Sequence, residues 1–288
     1  KLLAERECDF GLFYEVKANL KKEQLRALRQ AGVKTIQPGI ESLSDNVLKI
    51  MKKGVSALQN LQLLKWCTEL DLKVVYNIIW GFPGESNDDF RQMIDLLPLI
   101  SHLRPPLGAG TIRIDRFSPN FNEHSRLGFS NLLPFRAYGF VYPFDDEVIG
   151  NLAYYFRPQL PNANIDPEKT MKLSLGIKEW IENYQQSNLF FMDKGTQLLV
   201  WDWRPGAKKS FFLLDDYARE AYLACDESKS FRQVCDFWRR KVSQPLDEPR
   251  LRETLDSFVD QSLMVKLDDR YLALAYQKTT RSALPQTG

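Results

Sequence analysis

Apolar and polar residues alternate from Phe10 to Ala18 (F-G-L-F-Y-E-V-K-A), placing Leu12, Tyr14 and Val16 on one face of a strand and Phe13, Glu15 and Lys17 on the other. Lys21 to Ala31 then follows helical spacing, with Leu25 and Leu28 inward and Gly32 closing it. Val33 to Pro38 reads as a second strand. Beyond Pro38-Gly39 come the polar pair Glu41-Ser42 and a short helix, for which Ser44 suits the N-cap, Asp45 the first turn and Gly54 the C′ position. Val47, Leu48 and Met51 share its apolar face. Ser56 caps a third helix through Leu70, and Leu72 to Trp80 is a third strand ending in G-F-P-G-E. Ser86 opens a helix through Ile100, and Thr111 to Phe117 is a fourth strand. Strand and helix thus alternate four times, the pattern of right-handed βαβ units in a parallel sheet or barrel. The expected fold class is α/β, with half of a (β/α) barrel in residues 1–158.

The rhythm then changes. Residues 118–165 are irregular, with a helix expected over Asp145 to Phe156, and Pro167 to Gln186 reads as a helix carrying Met171, Leu175, Trp180 and Ile181. Residues 159–187 are taken as a connector. A second domain over 188–278 begins with strands at Gln197 to Trp203 and Ser210 to Leu214. Helices follow at Asp216 to Cys225, Phe231 to Val242 and Glu248 to Gln261. Met264 to Leu267 and Tyr271 to Tyr276 form a two-stranded wing, so the plan resembles a winged helix. Trp201 and Trp203 share one strand face and are expected in the core. Residues 279–288 read as a tail.

Composition narrows the chemistry. With 39 basic and 37 acidic residues the net charge is +2, so no polyanion partner is announced. No apolar run reaches the roughly 18 residues of a membrane helix. The chain opens on Lys without a signal-peptide pattern, so it is expected to be a piece of a longer, cytoplasmic protein. Cys8, Cys67, Cys225 and Cys235 are far apart and lack any C-x-x-C pair, which points to reduced thiols rather than metal ligands. His102 and His124 are the only histidines, too few for a multi-histidine metal site.

If Leu12, Tyr14 and Val16, then Val74, Tyr76 and Ile78, then Ile112 and Ile114 face the outer helices, the opposite phase faces a lumen. That phase holds Glu15, Lys17, Gln37, Asn77, Arg113 and Asp115, together with Ile79 and Gly81, and Glu41 lies just beyond the second strand. Burying so many polar groups is costly unless they pair with each other, as Glu15 and Lys17 could, or with a ligand. A ligand bearing both charges, bound at the strand ends, is the expected reading.

The run G-I-E-S-L-S-D-x-V-L-x-x-M-x-K-G, followed by N-I-I-W-G-F-P-G-E and preceded by E-V-K-A-N-L, resembles the second half of a radical S-adenosylmethionine (SAM) barrel over residues 9–158. Q-P-G-I-E-S-L, L-L-K-W-C, G-F-P-G-E-S, R-P-P and D-R-F-S-P are similar to the cobalamin-associated radical SAM maturases of ribosomally synthesised, post-translationally modified peptides. The resemblance implies that Glu41 and Ser42 contact the ribose and amino group of SAM, that Lys53 and Lys17 lie near its carboxylate, and that Ile79 and Gly81 pack on its adenine. It also implies a [4Fe-4S] cluster held by a C-x-x-x-C-x-x-C loop. This chain has no such motif, so the cluster ligands and a possible cobalamin domain are expected upstream, and the chain alone is expected to be inactive. The C-terminal domain resembles the PqqD-like domains that capture leader peptides by strand addition. Arg232, Arg239, Arg240 and Lys241 are offset by Glu248, Glu253, Asp256 and Asp260, so peptide binding or plain structural support is expected rather than nucleic acid; the partner that the resemblance implies is a precursor leader peptide, with no membrane. The alternatives are another radical SAM chemistry, such as tRNA methylthiolation or tetrapyrrole modification, or a non-catalytic peptide-binding partner protein. Nothing in the sequence assigns an oligomeric state.

Overall fold

The structure is a computed structural model that describes residues 11–159 and 165–278. Cys8, Phe10 and the expected tail lie outside the described residues. The first half runs β1 (Leu12–Val16), α1 (Lys22–Gln30), β2 (Val33–Pro38), α2 (Asp45–Ile50), α3 (Ala57–Glu69), β3 (Lys73–Val74), β4 (Asn77–Trp80), α4 (Asn87–Ile100), β5 (Gly108–Thr111) and β6 (Ile114–Asp115). β1, β2 and β3 are parallel neighbours, as are β4 and β5. The single third strand expected over 72–80 is split because its partner changes. Val75 N–H donates to Ile36 O (2.9 Å), whereas Tyr76 O accepts from Leu107 N–H (2.8 Å). Pro38 ends the β2 ladder, since it has no N–H to give, and pairing resumes only where Ile79 N–H donates to Glu41 O (2.9 Å). The fourth strand likewise starts earlier than expected and divides at Ile112-Arg113.

Val74, Tyr76, Ile78 and Trp80 are buried against the helices, as the alternation requires. β1 departs from it. Leu12 and Val16 pack on the core, but Tyr14 is 41% exposed because β1 is the sheet edge. The pairing also slips between Leu12 and Phe13, leaving Lys34 as an extra residue in β2, so Val33 and Ile36 both reach the core.

The segment expected to be irregular builds a separate three-stranded sheet with β6. α5 (Pro119–Asn122) leads to β7 (Ser130–Pro134), α6 (Ala137–Val141), α7 (Asp146–Leu152) and β8 (Tyr155–Gln159), and β8 pairs antiparallel with both β6 and β7. The helix expected to reach Phe156 stops at Leu152, where the Arg116 guanidinium takes the carbonyls of Gly150 and Ala153. A second apolar cluster forms here from Val47, Phe82, Ile112, Ile114, Phe129, Ala153 and Phe156.

α8 (Pro167–Asn183) lies close on α4: a Cβ on Gly176 would stand 2.7 Å from Leu97 Cδ1. The remaining elements are β9 (Leu189–Asp193), β10 (Leu198–Asp202), β11 (Phe211–Leu214), α9 (Asp216–Ala224), β12 (Lys229–Ser230), α10 (Phe231–Lys241), α11 (Glu248–Asp260), β13 (Met264–Leu267), β14 (Arg270–Ala273) and β15 (Tyr276–Gln277). One sheet has the order β11-β10-β9-β15 and another β12-β14-β13. β9 had no alternation to announce it. Trp203 is a correction: it is 53% exposed, because the buried face of β10 is Leu198, Val200 and Asp202, and Trp201 instead stacks on Phe190 at 5.3 Å.

The main core runs unbroken from Ile36, Leu61 and Trp66 to Tyr222, Trp238 and Leu272, across the boundary expected near residue 187. Polar groups seal the seam. The fully buried Lys65 ammonium meets the Asp226 carboxylate (2.9 Å) and the carbonyls of Asp226 (2.7 Å) and Ala273 (2.9 Å). Lys22 bridges Glu69 (2.8 Å) and Asp226 (3.0 Å), and Trp66 Nε1–H donates to Asp226 at 3.2 Å. Burial alone would raise the Asp226 carboxyl, but Lys65 and Lys22 outweigh it and hold it well below the usual carboxylate range.

Candidate functional site

The chain turns sharply after β2. Ile40 N–H donates to Pro38 O (2.9 Å) and Ser42 N–H to Ile40 O (2.6 Å), two three-residue turns in succession with Glu41 at the centre of the second at φ 54°. Buried Asn60 fixes this geometry by donating to the carbonyls of Ile40 and Ser42 (3.3 and 3.0 Å). α2 then starts on Ser44, whose Oγ accepts from Val47 N–H. It ends earlier than the Gly54 position implied. Lys53 N–H donates to Leu48 O and Lys52 N–H to Lys49 O, both 3.0 Å, so Lys52 at φ 55° takes the left-handed C′ place.

That ending swings Lys53 back over the turn. Its Nζ lies 2.6 Å from Glu41 Oε2, above Gly39, where a Cβ would come within 3.2 Å of the ammonium. Glu41 and Lys53, twelve positions apart, thus form a half-exposed ion pair at the C-terminal end of β2. Ser42 does not join this surface. Its side chain is fully buried, with Oγ accepting from Ser44 N–H (3.1 Å) and set against Met93 Sδ (3.6 Å), so it shapes the turn from below.

Beside this pair is the G-F-P-G-E loop, with Gly81 and Gly84 at φ 97° and 94°. Glu85 closes it by accepting from Gly81 N–H (2.7 Å), while its other oxygen is buried without a partner. Burial pushes the Glu85 carboxyl up to about 7 despite the N–H groups of Gly81 and Phe82. Asp89 ties loop and turn together, accepting from Ser44 Oγ (2.5 Å), Asn46 Nδ2 (2.9 Å) and Ser86 N–H (2.8 Å). The role of Asp89 had no signal beyond its place in a first helical turn.

The remaining residues of the expected lumen are exposed or half-buried. Glu15 and Gln37 are register neighbours and both exposed; Asn77 is exposed beside Gly108; Ile79 is half-buried opposite Gly110. Lys17 is exposed beyond β1 and makes no ion pair with Glu15. Arg113 pairs with Asp115 (2.8 Å) and lies 4.1 Å over the Tyr155 ring. The cost of burial that argued for a ligand therefore does not apply to these groups, because the face is open. Among the described residues no cluster of His, Cys, Asp or Glu is placed to hold a metal ion. Cys67, Cys225 and Cys235 are buried, and burial pushes the thiols of Cys67 and Cys225 up to about 12.

Residues 1–97 match the family model described as Radical SAM superfamily, a span that includes the Glu41–Lys53 turn and the Gly81–Glu85 loop. A tRNA-2-methylthio-N(6)-dimethylallyladenosine synthase of Symbiobacterium thermophilum is 35% identical over 65 residues, which cover 22% of this chain and 14% of the relative. An uncharacterized methyltransferase of Pyrococcus horikoshii is 29% identical over 69 residues, covering 24% and 15%. The chain therefore aligns with only a small part of these relatives' length. Among solved structures, the cobalamin-dependent S-adenosylmethionine radical enzyme OxsB with aqua-cobalamin bound aligns with 90% of this chain and 35% of its own at 17% identity, with a TM-score of 0.32. No helix among the described residues is long and apolar enough to cross a membrane.

Proposed function

We propose that this chain is the SAM-binding and peptide-recognition part of a radical SAM enzyme that modifies a ribosomally made precursor peptide. The observation that carries the proposal is the Glu41–Lys53 pair over Gly39, beside the Gly81 loop, inside the span that matches the superfamily. A carboxylate and an ammonium that neutralise each other at a side-chain-free patch suit the ammonium and carboxylate of an amino-acid ligand, each protein group exchanging its partner for one on SAM. Ile79 and Gly81 would then receive the adenine and Lys17 would support the carboxylate. Bound and reduced, SAM supplies radical chemistry; the residues here bind it, orient it and exclude water. The cysteines of the described residues do not fit a [4Fe-4S] cluster, and no residue here is assigned to the cluster or to cobalamin.

Support for a peptide partner comes from β11. Among the described strands it pairs with β10 alone, and Phe212 and Leu214 border a groove shared with Ser257 and Phe258 of α11. We read this three-helix arrangement with its hairpin as a winged-helix, PqqD-like plan, in which a leader peptide would add to the free β11 edge. Calorimetric titration of SAM tests the first part. Glu41→Gln should weaken binding by about tenfold, the worth of one charged hydrogen bond, and unchanged affinity would refute the assignment. Leader peptides tested by hydrogen exchange should protect the amides of Phe211 to Leu214.

A further inference from the structure

A concavity of about 1330 Å³ opens one residue beyond β6, between β7, β8, α6 and α7, separate from the Glu41–Lys53 pair. Three guanidinium groups line it, those of Arg116, Arg136 and Arg157, against the single carboxylate of Asp146. Arg116 is spent on the carbonyls that end α7. Arg157 is different: its Nε is buried and has no hydrogen-bond partner. The Nε itself is closed to an incoming ligand, but the half-buried Arg157 has no ion-pair partner among the described residues, and a carboxylate is the acceptor that matches a guanidinium fork. Around the charges the walls are aromatic. Phe121 and Phe156 pack at 5.0 Å, and Phe140 at the mouth is 88% exposed. The Asn151 side chain adds a paired amide donor and acceptor of the kind that meets a main-chain peptide group.

From this cavity we infer a specificity site for the peptide substrate, one that takes an acidic side chain flanked by large apolar residues. The inference rests on the peptide-substrate reading above and adds where, and by what chemistry, the peptide is chosen. The site also touches the SAM loop. A Cβ on Gly128 would meet Pro83 at 3.1 Å, and Phe129 lies 6.4 Å from Phe82, so the cavity wall leans on the G-F-P-G turn. A peptide seated there would lie next to the ligand that Glu41 and Lys53 are proposed to hold.

The test uses the 288-residue chain and two capped tripeptides, acetyl-Phe-Glu-Leu-amide and its Gln counterpart, titrated calorimetrically. The Glu peptide should bind about tenfold tighter, as one charge-assisted contact requires. Arg157→Gln should erase that preference. Arg136→Gln, at an exposed position that cannot compromise the core, should reduce it, and Glu41→Gln should leave it intact. Equal affinity for the two peptides, no binding of the Glu peptide at millimolar concentration, or a preference that survives both arginine substitutions would overturn the inference. SAM and leader binding without Glu selectivity would sink the cavity assignment alone. Selectivity without SAM binding would sink the radical SAM reading and leave the cavity standing.

Discussion

Replacing Asp226 with Ala should be the most damaging single change at the seam between the two halves. The substitution removes a carboxylate that accepts from Lys65, Lys22 and Trp66, and strands the Lys65 ammonium, which is 1% exposed, on two carbonyl oxygens. Removing one member of a buried ion pair costs about 3–5 kcal/mol. The lower end applies, because the Asp226 side chain is 31% exposed and Lys22 keeps Glu69. A loss of about 3 kcal/mol is a large part of the 5–15 kcal/mol that holds a typical domain together. Lys65→Met in the same background removes the stranded charge and should restore about 1 kcal/mol or more. Urea unfolding followed by tryptophan fluorescence measures all three proteins. The pH dependence has a defined sign. Asp226 is held low in the folded state, so its contribution is complete above the ordinary carboxyl value and is lost as pH falls through the folded one. The gap between wild type and Asp226→Ala should therefore close in acid. A cost below about 1 kcal/mol at pH 7, or a double variant no more stable than Asp226→Ala, would refute the reasoning.

Glu85 carries the opposite sign. Its carboxyl is raised to about 7 in the folded state, so native protein binds the proton more tightly and stability falls as pH rises from the ordinary carboxyl range toward 7. The loss attributable to this group is on the order of 2–3 kcal/mol, and Glu85→Gln should flatten urea midpoints measured between pH 5 and pH 8. Gly128→Ala should lower stability by about 1–2 kcal/mol, since its φ of 82° disfavours a side chain and the new methyl would press on Pro83. Gly139→Ala, inside α6 with nothing within 4 Å, should instead be neutral or stabilising when both variants are compared by urea unfolding.

The βα rhythm was legible because each helix carries its own boundary signals. Ser44, Ser56 and Ser86 stand at the N-caps as expected, and Val74, Tyr76, Ile78 and Trp80 keep a period of two. What failed to show depends on contacts distant in sequence. β9 is a run of buried residues with no alternation, readable only from its partners β10 and β15. α2 ends at Ile50 because Lys52 accepts a left-handed conformation that Gly54 was better suited to supply. The sequence reading joined Glu41 to Ser42 and took Lys53 apart from them, and only the turn geometry shows that Glu41 faces Lys53 while Ser42 points into the core. The aromatic cavity lay in the segment of weakest periodicity, where β7 and β8 pair across a stretch that includes two short helices.

The change of rhythm favours a boundary near residue 187, yet the contacts argue that neither half folds alone. Arg204 donates to Leu99 O (2.5 Å) from a buried pair with Asp202, His102 Nε2 meets Leu274 O (3.0 Å), Ser101 meets Ser187 (2.8 Å), and Lys65 reaches Asp226 and Ala273. A chain ending at Gln186 would uncover the apolar surface of α3 that packs toward β15 and leave Lys65 without its carboxylate. Each such group carries a desolvation or exposure cost of a few kcal/mol, and together they exceed the stability of an ordinary domain. Residues 1–186 expressed separately should therefore be insoluble or lack a cooperative thermal transition by circular dichroism. The full chain should unfold in one transition, with the fluorescence and far-ultraviolet signals coinciding. Two resolved transitions, or a soluble and cooperatively folded 1–186, would mean the seam is a docking surface rather than a shared core. A shared core has a functional consequence. It fixes the free edge of β11 relative to the Glu41–Lys53 turn, so that a leader peptide bound at one would enter the other from a set direction instead of at the end of a flexible tether.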